Sequence, residues 1–231
     1  MIALPDNMFR PIGTGWRAPP IRLLPECVDY PDLLAAAPAA GCVLGIDEDG
    51  LQPVTLNLTG QHLMVFGEPG CGKTAVLRLL CHEIARTVPN GLVVPLDARG
   101  GLRALPGLID GLRARVHGGE PGDPQIYVVV DDYDLAASAL APLADVLPHA
   151  RDIGLHLLIA RRSGGGARAL YDPILSAVRE TGAVGLQLSG CPDDGPLVGG
   201  VRPRPLPPGR GVLVTRAEGE RTIQVAWTEP R

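Results

Sequence analysis

The chain has 231 residues, a formal net charge of −4 and a pI near 5.7, long enough for one large α/β domain with its own core and lacking the basic balance of an ordinary nucleic-acid binder. Hydrophobic residues make up 45% but aromatics only 3%, so the core must be built from Leu, Val, Ile and Ala. The five cysteines (Cys27, Cys42, Cys71, Cys81, Cys191) form no CxxC pair and no Cys/His group with metal-ligand spacing, which argues against a zinc site and for reduced thiols in a cytosolic setting.

Residues 1–42 are rich in proline and alanine and read as a linker that packs on the surface, with one short helical stretch from Tyr30 to Ala37. They show neither the apolar core of a signal peptide nor a run long enough to span a membrane. The expected location is therefore cytoplasmic, with any membrane tether supplied elsewhere. The main domain is placed at 43–231. VLGIDEDGLQPVTLNL (43–58) predicts two short strands around an Asp49-Gly50 turn.

HLMVF (62–66) is a buried strand, and KTAVLRLLCHEIART (73–87) has helical spacing at Val76, Leu79, Leu80 and Ile84. GLVVPLD (91–97) predicts a strand and 103–117 a weak helix, interrupted by Pro106 and Gly111. QIYVVVDD (125–132) is apolar on both faces, as a central parallel strand should be. A helix over 132–150 is expected to bend or divide at Pro142. GLHLLIA, ALYDPILSAVRE and AVGLQLS continue the alternation, and GVLVT with TIQVAW closes it as a hairpin around Glu218-Gly219. The prediction is an α/β fold, a mostly parallel sheet with helices on both faces and a C-terminal β-hairpin.

GEPGCGKT fits G-x-x-x-x-G-K-[ST] between a strand and a helix. Gly67, Glu68, Pro69, Gly70, Cys71 and Gly72 would turn backbone N–H groups toward phosphates, assisted by the helix N-terminus. Lys73 would bridge the terminal phosphates of ATP, and Thr74 would give its hydroxyl to Mg2+. Of 21 basic residues, Lys73 is the only lysine. Cys71, among those N–H groups and beside Lys73, is expected to carry a lowered pKa and to alkylate faster than the other cysteines.

VVVDD supplies a second acid site. Asp131 would reach Mg2+ through water. Asp132 stands where many such ATPases carry a glutamate that activates the attacking water, and equally where a helix N-cap would stand. Aspartate is about 1.5 Å shorter, and a misplacement of about 1 Å can cost a hundredfold in rate; slow hydrolysis is expected. Arg161 and Arg162 end the next strand, where a sensor residue is common. They read as surface arginines, with Arg162 the candidate for a finger reaching a neighbouring nucleotide. The five histidines form no i, i+4 pair and read as strand-edge or solvated.

At HLMVFGEPGCGKT, YVVVDDYDL, GLHLLIARRSGGGARALYDP, GLQLSG and GGVRPRPLPPGRGVLV the sequence resembles the FtsK/SpoIIIE motor ATPases. It is most similar to the C-terminal ATPase domain of EccC from type VII (ESX) secretion. The resemblance implies a RecA-like P-loop fold, other ATPase domains of the same motor as neighbours, and a homo-oligomer, a hexamer, in the assembled machine. It implies docking of the C-terminal signal of exported helical-hairpin (WXG-type) proteins, with hydrolysis degenerate. The alternative is an FtsK-like DNA translocase, which the acidic balance opposes; no nucleic acid is expected. For a docking task the sequence predicts an apolar groove lined by Leu, Val and Ile beside 100–124 or 192–210.

Overall fold

The computed structural model describes residues 23–97, 102–118 and 122–228; the first 22 residues of the linker lie outside them. In chain order the elements are α1 (Tyr30–Ala36), β1 (Cys42–Asp47), β2 (Pro53–Leu56), β3 (Leu63–Phe66), α2 (Lys73–Thr87), β4 (Leu92–Asp97), α3 (Leu105–Gly118), β5 (Ile126–Asp131), α4 (Tyr133–Leu140), β6 (Leu155–Arg161), the single turn α5 (Gly166–Ala169), α6 (Pro173–Glu180), β7 (Val184–Leu188), β8 (Arg210–Thr215) and β9 (Gly219–Val225).

The described strands form one nine-stranded sheet in the order β2-β1-β9-β8-β7-β3-β6-β5-β4. From β7 to β4 all neighbours run parallel. From β7 outward to β2 all neighbours run antiparallel. The C-terminal hairpin therefore does more than close the chain: β9 pairs with β1 and sews the N-terminal hairpin onto the parallel sheet.

The central strands follow the period-two rule. On β5, Tyr127 and Val129 enter the core under α2, while Ile126, Val128 and Val130 enter the other, with α3, α4 and α6. Helices thus cover both faces. At the β4 edge, Pro95 sits in a strand that needs only one row of hydrogen bonds.

Proline also sets the helix ends. At Pro142 the helical stretch passes from α4 into 3-10 turns over Ala141–Asp145 and Leu147–His149. The helix expected over 169–180 is divided at Pro173, which takes the first position of α6, and the Asp172 carboxylate accepts from Ile174 N and Leu175 N. α1 lays Tyr30 and Leu33 into the core beneath β1.

Two of the histidines are neither edge nor solvated. His62 and His156 are buried, and His62 Nδ1 accepts from Leu157 N at 2.9 Å. Burial pushes the His62 imidazole down from 6.5 to about 4, with His156 adding to the effect.

Candidate functional site: a phosphate loop facing two strand-end acids

β3 ends at Phe66 and the chain turns through 67–72 into α2. Gly70 and Gly72 have φ of +79° and +108°, which side chains with a Cβ rarely adopt. Neighbouring strand ends pin the turn. Gly67 N donates to Arg161 O at 3.3 Å, Glu68 N to Ser189 O at 2.8 Å, and Ser163 N to Gly67 O at 3.4 Å. The loop is therefore a rigid frame anchored to β6 and to the segment after β7.

Lys73 is 8% exposed. Its Nζ donates to Gly67 O at 3.0 Å and to Glu68 O at 2.9 Å, so the ammonium is folded over the loop it would serve. Thr74 Oγ1 donates to Asp131 Oδ2 at 2.6 Å, across 57 residues of sequence. The parallel order β3-β6-β5 brings these two groups together at the C-terminal edge of the sheet. Two hard oxygen donors side by side fit Mg2+, which usually takes one or two protein oxygens and completes its shell with water and phosphate. The donor set and the loop both fit a magnesium-bound nucleotide.

Asp132 sits at the N-cap position of α4 with φ +50° and ψ +50°, and its side chain makes no cap bond. A left-handed aspartate is tolerated but uncommon. Asp97, which the sequence reading passed over, ends β4 in register with Asp131. Its signal was the same as that of Asp131: an apolar strand closing on an acid.

Two expectations are corrected. Arg161 is not a surface arginine. It is buried, and its Nε and Nη2 both donate to the Asp134 carboxylate on α4. That pairing across β6 and α4 holds it in place of a free finger. Arg162 is exposed, and its backbone N donates to Asp134 Oδ2 at 3.1 Å. Cys71 is not an activated thiol: it is 4% exposed, and burial pushes its pKa up despite Lys73 nearby. Its Sγ occupies the space that a Cβ on Gly67 would need, and the residue is part of the core that packs under α2.

On the parallel half, α3 and the α4 end leave a groove of about 350 Å3 lined by Leu102, Leu105, Pro106, Ile109, Ala139 and Pro142. Asp110 and Arg113 stand at its rim. A second recess, about 410 Å3, lies over β8 and β9 and is lined by Arg202, Arg204, Arg221, Glu48 and Glu220 among others. The apolar groove is beside 100–124; the recess beside 192–210 is polar.

No protein-family model matches the chain. Its sequence is 43% identical, along the whole of this chain, to ESX-4 secretion system protein EccC4 of Mycobacterium tuberculosis. The chain is a homologue of the ATPase domains of EccC proteins. It is also 36% identical, over 99% of its length, to the ESX secretion system protein EccC of Thermomonospora curvata. The chain spans only 22% and 20% of these two EccC proteins. A solved structure of T. curvata EccC, its ATPases 2 and 3 in complex with a signal sequence peptide, superposes with a TM-score of 0.82 at 37% identity, covering 94% of this chain and 46% of that one. The strand order and loop described above are those of a RecA-like P-loop ATPase domain of the EccC type. No helix among the described residues is long and apolar enough to cross a membrane.

Proposed function

We propose that this domain binds ATP–Mg2+ at Gly67–Thr74 and serves a type VII secretion motor chiefly as a docking module, with slow hydrolysis. The observation that carries the nucleotide reading is the Thr74–Asp131 hydrogen bond beside the folded-in Lys73. Lys73 would hold the terminal phosphates, Thr74 a direct magnesium position, and Asp131 the cation through water. Bound magnesium would supply charge neutralisation at the phosphates. The protein's own part is to orient and to exclude water.

Slow hydrolysis is inferred from the acid and the sensor position. Asp132 is short for a water-activating glutamate and is held in a left-handed turn. Arg161, at the sensor strand end, is tied to Asp134. Arg162 is the one arginine of the pair free to reach a neighbouring subunit.

The docking reading rests on the apolar groove between α3 and the α4 end, which suits the apolar face of a short helix. The T. curvata relative was solved with a signal sequence peptide. The partner proposed here is the helical C-terminal tail of an exported WXG-type protein.

The test is a titration of a labelled tail peptide from a co-encoded WXG-type protein, against a scrambled control. Binding near micromolar, about −8 kcal/mol, lost in Ala139→Glu at the half-buried groove wall, supports docking. Equal binding of both peptides, or saturable binding of duplex DNA at physiological salt instead, returns the domain to the translocase class. A turnover assay on the same protein should fall well below about 10 per second.

A further inference from the structure

The phosphate loop is fastened on a side that the motif does not describe. Gly209 N donates to Cys71 O at 2.9 Å. A trans peptide is planar, so its C=O and the next N–H point in opposite directions. Holding Cys71 O therefore aims Gly72 N–H the other way, and Gly72 is the residue immediately before Lys73. Whatever fixes Gly209 fixes the aim of that donor.

Gly209 O accepts from Val225 N at 2.8 Å, and the Pro208–Gly209 turn is held further by a short chain of buried and half-buried groups. Gln224 on β9 is 2% exposed and its Nε2 donates to Pro208 O at 3.1 Å. Its Oε1 accepts from Arg210 Nε at 3.2 Å. Arg210 Nη2 then donates to Leu24 O at 2.9 Å and to Pro25 O at 2.8 Å. Three acceptors on two different segments are met by one planar guanidinium, a task a lysine ammonium on a flexible stem fills poorly. The run Leu24–Pro25, Arg210, Gln224, Pro208–Gly209, Cys71 thus connects the chain before α1 to the loop.

The same leading segment is tied a second time to the phosphate-binding unit. Val28 O accepts from Trp227 N at 2.7 Å, and the Tyr30 hydroxyl donates to Glu83 on α2, the helix that Lys73 begins. Residues 24–30 therefore grip both the loop and the body of its helix.

We infer that Arg210 is a positioning residue for the nucleotide site, coupling the seating of residues 23–30 to the aim of the Cys71–Gly72 peptide. By linkage, nucleotide in the loop and docking of this segment strengthen one another to the same degree. The inference rests on the nucleotide-binding reading above.

The experiment uses the full chain and a fluorescent, slowly hydrolysed ATP analogue with Mg2+. Arg210→Ala should weaken binding by about tenfold, or about 1.4 kcal/mol, and Arg210→Lys should not restore it. Arg216→Ala, an exposed arginine on the same hairpin, is the charge control and should bind as the unaltered protein does. Hydrogen exchange supplies the readout that a merely structural role would not move. Nucleotide should slow exchange at 23–30 and 205–211 as well as at 67–74 in the unaltered protein. In Arg210→Ala the response at 23–30 should vanish while unliganded protection elsewhere stays. Arg210→Gln, which keeps reach to Gln224 but not to Leu24 and Pro25, should behave as the alanine does and stands in if that variant fails to fold. Unchanged affinity in Arg210→Ala and Arg210→Gln, or a loss matched by loss of protection throughout the protein, overturns the coupling. Failure of the unaltered protein to bind the analogue overturns the nucleotide reading, and the coupling with it.

Discussion

Two enclosed titratable groups, His62 and Glu83, are handled in opposite ways on the two halves of the sheet. In the parallel half, His62 is enclosed uncharged, its Nδ1 accepting a backbone N–H of β6. Where α2 meets the antiparallel half, Glu83 is enclosed charged. It is 0% exposed and accepts from Arg86, from the Tyr30 hydroxyl and from Val43 N at 2.6 Å. Burial by itself would push the Glu83 carboxyl up; the donors from Arg86, Tyr30 and Val43 outweigh it and leave it below the usual carboxylate range. Burial, then Glu83, pushes the Tyr30 hydroxyl up to about 12. The difference separates two duties: His62 ties the start of β3 to β6 without adding charge, while the junction uses an ionic knot to fasten the leading segment to α2.

The largest expected effect tests the knot. Glu83→Ala leaves Arg86, the Tyr30 hydroxyl and Val43 N without their shared acceptor and should cost about 3–5 kcal/mol, the range for breaking a buried pair from one side. Urea unfolding measures it, and a loss below about 1 kcal/mol would make the knot ornamental.

The next contrast is in acid. The folded pKa of His62 lies below its unfolded value, so the unfolded chain takes up the proton first. That stability is complete above pH 6.5 and is lost as pH falls toward 4, amounting to about 3 kcal/mol. Glu83, also depressed, contributes fully above its ordinary 4.5 and loses that contribution as pH falls through its folded value. Acid should therefore loosen the parallel half first. His62→Asn, whose amide oxygen stands near the Nδ1 position, should flatten the stability curve between pH 6.5 and 4 and leave its slope below pH 4 unchanged; an unaltered slope in the upper window counts against the assignment.

The smallest of the three separates binding from folding. Lys73→Ala should cost about 1.5–3 kcal/mol of ATP–Mg2+ affinity and shift the melting temperature of the free protein by only a few degrees. Calorimetry giving equal affinity in the variant removes the loop from the nucleotide site.

The strands of the parallel half and the phosphate loop were legible because their signals are local. Four apolar residues run into a glycine turn at Leu63–Phe66, and four run into an acid at Tyr127–Asp131. The pairing of β1 with β9 was not legible, because it joins residues nearly the whole chain apart and leaves no period in either segment. Nor was the direction of Cys71, which depends on the space left by Gly67. Arg161 looked exposed because a strand end usually is; Asp134, which buries it, read only as one more acid after the strand. Asp97 showed the same strand-ending acid as Asp131 and gained meaning only once β4 lay beside β5.

The phosphate-loop lysine has one further consequence. No other side chain of the 231 residues carries a primary amine. Beyond the chain's α-amino group, amine-directed acylation thus becomes a footprint of a single side-chain nitrogen, one already held against Gly67 O and Glu68 O. Its rate, read by the mass change of the peptide that contains Lys73, reports how often that ammonium leaves the loop, with no substitution in the protein.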